Sequence, residues 1–311
     1  MGGYEEEFFF KSGDKWRVGK TDLEADGIYY LYGYAPHNND ANVTATIGKL
    51  SGEGKTYAHG AVLTLRNLPT AMSSDPCVII GAKNGREYYR ENEDYTVDPL
   101  VRGDFAYEAQ STGEGGTGGN YVFLLFDHLF ASLDISMRVH SDYDALRTIK
   151  LKELHLQTKV GEETTKKKTD VTITLESGPS ANDPIKSLEF DASGYADAED
   201  TNLNIVQEGG VKLSTTLSDF VGYFMPQGVT TIVLTSIYDV YDKDTSVMNP
   251  DGNLIRQNCT ATNTLELNKL YYSQYYALRG KKYHVTMTIQ PTYLYQMSDP
   301  DLDNPTVKID N

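Results

Sequence analysis

Tyr283-His284-Val285-Thr286-Met287-Thr288-Ile289-Gln290 carries an apolar or aromatic residue at every odd position and a polar one at every even position. A period of two marks a strand with one face in a core and the other in water. Segment 129–139 repeats the pattern. Leu129, Ala131, Leu133, Ile135, Met137 and Val139 share one face, Ser132, Asp134, Ser136 and Arg138 the other, and only Phe130 breaks the alternation. A helix would scatter Ala131, Ile135 and Val139 off a common stripe, so the strand template fits better. Further strand candidates run over 28–34, 43–50, 61–66, 77–82, 121–126, 147–159, 171–176, 229–237 and 262–267. Within 147–159 the apolar parity changes from Ile149 and Leu151 to Leu154 and Leu156, which predicts a β-bulge near Lys152-Glu153. Asn84-Gly85 and Asp251-Gly252 are turn dipeptides. No segment sustains a helical period. Many short strands punctuated by Gly, Asn, Asp and Pro predict an all-β chain of sandwich type.

At 311 residues the chain is long enough to bury one large core or two ordinary ones without metals or disulfides. Its aromatic content leans the same way as the alternation: 23 Tyr stand against 10 Phe and one Trp. Tyrosine suits a half-buried pleated surface, where the ring packs and the hydroxyl stays wet. The formal net charge of −16 repels phosphate backbones and anionic lipid, so neither nucleic acid nor a membrane surface is an expected partner. Cys77 and Cys259 form no CxxC motif and are expected to be small buried hydrophobes. No apolar run approaches the ~20 residues of a membrane-spanning helix. Met1-Gly2-Gly3 ahead of Tyr4-Glu5-Glu6-Glu7 reads as a trimmed mature start, from which any export signal has been removed. The Gly-rich stretch 111–119 is the expected domain boundary. It gives an N-terminal sandwich domain over 1–119 and a C-terminal one over 120–311, the latter with long loop insertions at 191–204 and 239–257.

Chemistry-bearing motifs are sparse. Gly113-Glu114-Gly115-Gly116-Thr117-Gly118 has the spacing of a dinucleotide fingerprint, but a strand-like segment follows it where a helix N-terminus is needed. It reads as a linker, and no cofactor is expected. The six histidines, His37, His59, His128, His140, His155 and His284, fall in no paired metal spacing. No nucleophile elbow is present, and no catalytic residue is expected. Asp299, Asp301 and Asp303 stand at alternate positions, the donor spacing of a Ca²⁺ loop, although Asn304 occupies the place where an EF-hand needs glycine. The plainer reading is an acidic turn between strands. Asp239, Asp242 and Asp244 form a second acidic cluster of the same kind.

Leu124-Leu125-Phe126-Asp127-His128-Leu129-Phe130-Ala131-Ser132-Leu133-Asp134-Ile135, followed by Leu146-Arg147-Thr148-Ile149-Lys150-Leu151, resembles a signature of fimbrillin-like proteins of the Bacteroidales. Residues 280–295 and 298–305 look like that family's C-terminal region. Tyr30-Leu31-Tyr32-Gly33-Tyr34 and Leu65-Arg66-Asn67-Leu68-Pro69 are similar to its N-terminal strands. The resemblance implies two transthyretin-like β-sandwich domains, export as a lipoprotein and display on the outer surface. It also implies assembly into fimbriae by strand exchange, in which a protease removes an N-terminal strand and a neighbour's strand fills the groove. Arg17, after the strand-like Glu7-Phe8-Phe9-Phe10, is the candidate processing point. The implied partners are other fimbrial subunits, in a homo- or heteropolymer, and a host or bacterial surface ligand. Membrane contact would come only through a removed lipid anchor. A second expectation is a non-polymerising surface glycan-binding lipoprotein, with Tyr271, Tyr272, Tyr275 and Tyr276 as candidate ligand contacts. Neither expectation includes enzymatic activity.

Overall fold

The computed structural model describes residues 9–12, 15–18, 23–24, 27–36, 42–84, 101–109, 122–178, 183–195, 199–270, 275–293 and 300–310. The strands are β1 (Phe9–Ser12), β2 (Lys15–Val18), β3 (Ile28–Tyr30), β4 (Tyr34–Ala35), β5 (Thr44–Lys49), β6 (Gly60–Pro69), β7 (Ala71–Met72), β8 (Cys77–Asn84), β9 (Ala106–Glu108), β10 (Val122–His128) and β11 (Ala131–Val139). They continue as β12 (Thr148–Val160), β13 (Glu163–Thr164), β14 (Lys168–Glu176), β15 (Ile185–Asp191), β16 (Leu203–Asn204), β17 (Val211–Leu213), β18 (Ser218–Phe224), β19 (Thr231–Tyr241), β20 (Leu254–Glu266), β21 (Lys282–Tyr293) and β22 (Pro300–Ile309). Two single-turn helices, α1 (Ser141–Asp144) and α2 (Leu267–Leu270), interrupt them. The fold is all-β, as the alternation requires.

The chain divides into two compact units. The first comprises 1–66, 78–127 and 170–190, the second 67–77, 128–169 and 191–311. A single cut at 119/120 does not describe this. β10 lies after the expected boundary yet joins β8 and β4 in one sheet, and β14 and β15 extend the sheet of β6 and β5. Strand pairing decides unit membership here, and the pairs are far apart in sequence.

In the first unit, β5 and β6 are antiparallel from Thr44↔Arg66 to Lys49↔Ala61, and the sheet order is β15-β14-β6-β5. Ala61, Leu63 and Leu65 of β6 and Val171, Ile173 and Leu175 of β14 are buried, each set on a single parity. β8 buries Val78, Ile79, Ile80 and Ala82 on both parities, the pattern of a strand covered on two faces. The Tyr32 and Phe105 rings lie 4.5 Å apart, and the Tyr32 hydroxyl donates to the Tyr57 carbonyl at 2.6 Å. Gly60 opens β6 at φ 137°, where a Cβ would overlap the Leu175 carbonyl oxygen of β14.

In the second unit two sheets enclose one core. One has the order β22-β21-β11-β18-β7, the other β13-β12-β19-β20 with β16 and β17 also on β12. Leu133, Ile135, Met137 and Val139 of β11 and Tyr283, Val285, Met287 and Ile289 of β21 face Ile149, Leu151, Leu154, Leu156, Ile232 and Leu234 of the opposite sheet. β21 runs parallel to β11 in the register Leu133↔Tyr283 to Val139↔Ile289, which puts the two alternations in phase. The bulge expected near Lys152-Glu153 is present: the β12–β19 register shifts between Leu151 and Glu153, and all four apolar residues flanking it are buried. A second shift falls between Tyr238 and Val240 in the β19–β20 pairing, where Asn258 takes φ 55°. The bulged Lys152 meets both: its Nζ lies 3.7 Å from Asp239 Oδ2 and donates to Asn258 Oδ1 at 2.7 Å.

Residues 300–304 are strand, where a turn was the plainer reading. β22 pairs antiparallel with β21, with a register shift between Gln290 and Thr292 at Pro291. Pro291 is tolerated because it sits at this bulge, beyond Ile289, the last residue of β21 that pairs with β11. The side of β22 away from β21 is held by side chains. Tyr238 OH donates to the Pro305 carbonyl at 3.0 Å, Asn263 Nδ2 to the Val307 carbonyl at 3.2 Å and Arg256 Nη1 to the Asp303 carbonyl at 3.2 Å. Burial pushes the Tyr238 phenol well above its ordinary range, so it stays a neutral donor.

Two outcomes follow from this packing. Tyr238→Phe leaves the buried Pro305 carbonyl without its donor and should cost about 1–3 kcal/mol in urea unfolding, with the slope unchanged. Gly60→Ala should cost at least about 1–3 kcal/mol from backbone conformation alone, with overlap at Leu175 added, and should lower the melting temperature.

Candidate functional site

The polar parity of β11 faces away from the core, and its neighbours in register build a grid there. Tyr223, Ser132 and Lys282 form one row across β18, β11 and β21; Val221, Asp134 and His284 form the next; Asp219, Ser136 and Thr286 form the third. Lys282 Nζ reaches Asp134 Oδ2 at 2.6 Å, and Ser136 Oγ donates to Asp219 Oδ1 at 2.5 Å. The hydrogen bond to Asp134 and its charge raise the Lys282 ammonium pKa. Burial raises that of the Tyr223 phenol, and the carboxylates of Asp75 and Asp134 add to it. All of these residues but Thr286 line a groove of about 640 Å³ together with Asp75, His128, Phe130 and Phe220. Donors and acceptors surrounding the half-exposed Val221 and Tyr223 make a face suited to binding.

At one end of the groove three metal-ligating side chains converge. Asp75 precedes β8, Cys77 opens it and His128 closes β10, the neighbouring strand. The Leu129 N–H donates to the Pro76 carbonyl at 2.8 Å, which pins the two segments together. His128 Nδ1 lies 2.6 Å from Asp75 Oδ2 and 3.6 Å from Cys77 Sγ. Cys77 is therefore not the plain buried hydrophobe expected from the sequence; Cys259 is buried as expected. Cys77 and His128 stand 51 positions apart. No local motif could announce the cluster.

The other candidate residues are dispersed. Asp303 is on β22, and its Oδ1 accepts from Arg147 Nη2 at 3.0 Å and Nε at 3.3 Å. Asp301 pairs with Thr292, and Asp299 lies outside the described residues. In the second acidic cluster, Asp242 Oδ1 accepts from the backbone N–H of Asn253 at 2.8 Å and of Asp244 at 3.0 Å, while its Oδ2 accepts from Asn253 Nδ2 at 3.0 Å. These bonds hold the Asp242 carboxyl below its ordinary range. Asp239 Oδ1 accepts from the Asn258 N–H at 2.7 Å. Both carboxylates shape the 242–253 loop and the bulge. Tyr275 and Tyr276 are 67% and 54% exposed, whereas Tyr271 and Tyr272 lie outside the described residues. Arg17 sits in β2 opposite Phe10. The Gly-rich stretch 111–119 also lies outside the described residues.

No family model matches the chain, and no curated protein matches it. Among solved structures, a "putative cell adhesion protein" from Bacteroides uniformis is similar at 13% identity, covering 84% of this chain and 78% of that one with a TM-score of 0.29. A second protein of the same description, from Bacteroides fragilis, is similar at 8% identity, covering 83% of this chain and 67% of that one with a TM-score of 0.30.

Proposed function

We propose that the chain is a cell-surface fimbrial subunit or adhesin, exported and displayed at the outer membrane, that assembles by β-strand exchange and has no enzymatic activity. One observation carries this proposal: the way β22 is held. Its main chain is bonded to β21 on one side, while Arg256, Tyr238 and Asn263 take the carbonyls of Asp303, Pro305 and Val307 on the other. Donors placed at alternate carbonyls define a slot for an extended segment of any origin, and a neighbour's strand would meet the same donors. Added support comes from the sequence resemblance over 124–151 and 280–305, which also suggests transthyretin-like domains and N-terminal processing at Arg17. The strongly acidic charge suits a soluble surface protein and disfavours nucleic acid. Trypsin trimming of the N-terminus should yield strand-exchanged oligomers or fibres, seen by size-exclusion chromatography and electron microscopy. Trimmed protein that stays monomeric removes the polymerising role.

A second reading, surface glycan binding, is favoured by the exposed Tyr275 and Tyr276 and by the polar groove on β11, β18 and β21. Aromatic faces stack on sugar rings while the hydroxyls hydrogen-bond. On a glycan array the intact protein should give hits that the Tyr275→Ala, Tyr276→Ala double variant loses. An empty array, or hits unchanged in that variant, overturns it.

A further inference from the structure

We propose that Asp75, Cys77 and His128 form a binding site for a single Zn²⁺ ion. The three ligand atoms lie within 4.8 Å of one another. Their arrangement is not that of a nucleophilic relay. A relay needs the thiol on one ring nitrogen and the carboxylate on the other. Here Asp75 Oδ2 and Cys77 Sγ both approach Nδ1 of His128, at 2.6 Å and 3.6 Å. Convergence on one nitrogen is what a shared cation requires.

The spacing suits zinc. Ligand distances of about 2.0–2.1 Å for nitrogen or oxygen and about 2.3 Å for sulfur, at tetrahedral angles, give edges of about 3.6 Å for S···N and about 3.4 Å for N···O. The S···N edge is already in place, and the N···O edge is closed by a hydrogen bond that the ion would open by less than 1 Å, about one side-chain rotation. A thiolate, a neutral imidazole and a carboxylate carry two negative charges, which neutralise a divalent ion, and the thiolate selects zinc over the hard cations. Asp75 Oδ1 is buried with no hydrogen-bond partner among the described residues, so the carboxylate has a desolvated lone pair beside the cluster. The site is reachable: the His128 side chain is 55% exposed and that of Asp75 24%, and both line the groove. Three protein ligands leave the fourth position to water or to an atom of whatever occupies the groove. The site shares no residue with the donors that hold β22, so it stands or falls separately from strand exchange.

The test uses the full-length, untagged chain, stripped with a chelator and titrated with Co²⁺ and then Zn²⁺. One equivalent of Co²⁺ should produce a thiolate-to-cobalt charge-transfer band that Zn²⁺ displaces. Competition with a chromogenic chelator should show one zinc per chain. Cys77→Ser should abolish the band, and Asp75→Asn and His128→Gln should each weaken zinc by at least about tenfold. Cys259→Ser should change neither readout. His128 is exposed enough for its variant to stay folded, which circular dichroism verifies. The absence of a band in the parent chain, or parent-like zinc binding by His128→Gln, overturns the proposal.

Discussion

The second unit depends on one pairing, the parallel ladder between β11 and β21. Each strand alternates on its own, but a parallel register could have set the alternations out of phase. The observed register aligns Leu133 with Tyr283, Ile135 with Val285 and Met137 with Met287. A slip of one residue would turn every buried side chain of one strand to water. The same phase builds the outer grid, since Asp134 must then lie beside His284 and Ser136 beside Thr286. Core and groove are two sides of a single constraint. Arg138, Thr288 and Asp310 lock its far end: Arg138 Nε donates to Thr288 Oγ1 at 3.1 Å, and both residues bond the Asp310 carboxylate.

Polar groups near the edges have structural duties that the sequence disguises. Asp239, Asp242 and Asp303 read as cation ligands when seen as spaced carboxylates. In the fold each accepts from a named donor: Asn258, Asn253 and Arg147 respectively. The two bulges explain one such arrangement. Lys152, displaced outward from β12, lies across β19 where Asn258 bulges from β20, and Asp239 sits between them.

What was legible in the sequence was what periodicity encodes. Segments 129–139 and 283–290 alternate because one face of each is buried, and the parity change at Lys152-Glu153 marks a bulge because the register there shifts. β22 was illegible for a physical reason. An edge strand needs no donor on one side, so Pro300, Pro305 and several acidic residues are tolerated there and mimic a turn. The division into units was hidden because β10 and β14 choose partners across long stretches of chain. The Asp75–Cys77–His128 cluster was hidden for the same reason: His128 ends a strand whose neighbour begins at Cys77. Parity tells only which face of its own strand a side chain lies on. What it could not supply was the neighbour.

The parallel ladder also governs how the protein is made. Arg138 and Thr288, bonded in the finished sheet, are 150 positions apart in the chain. No hairpin shortens that closure, so the ladder is a late and slow event dominated by non-local contacts. During synthesis β11 waits with one edge unpaired until residues 282–289 have emerged. A nascent chain stalled before residue 282 would hold that strand ready for any other extended segment. Timing, as much as geometry, decides which strand β11 meets first.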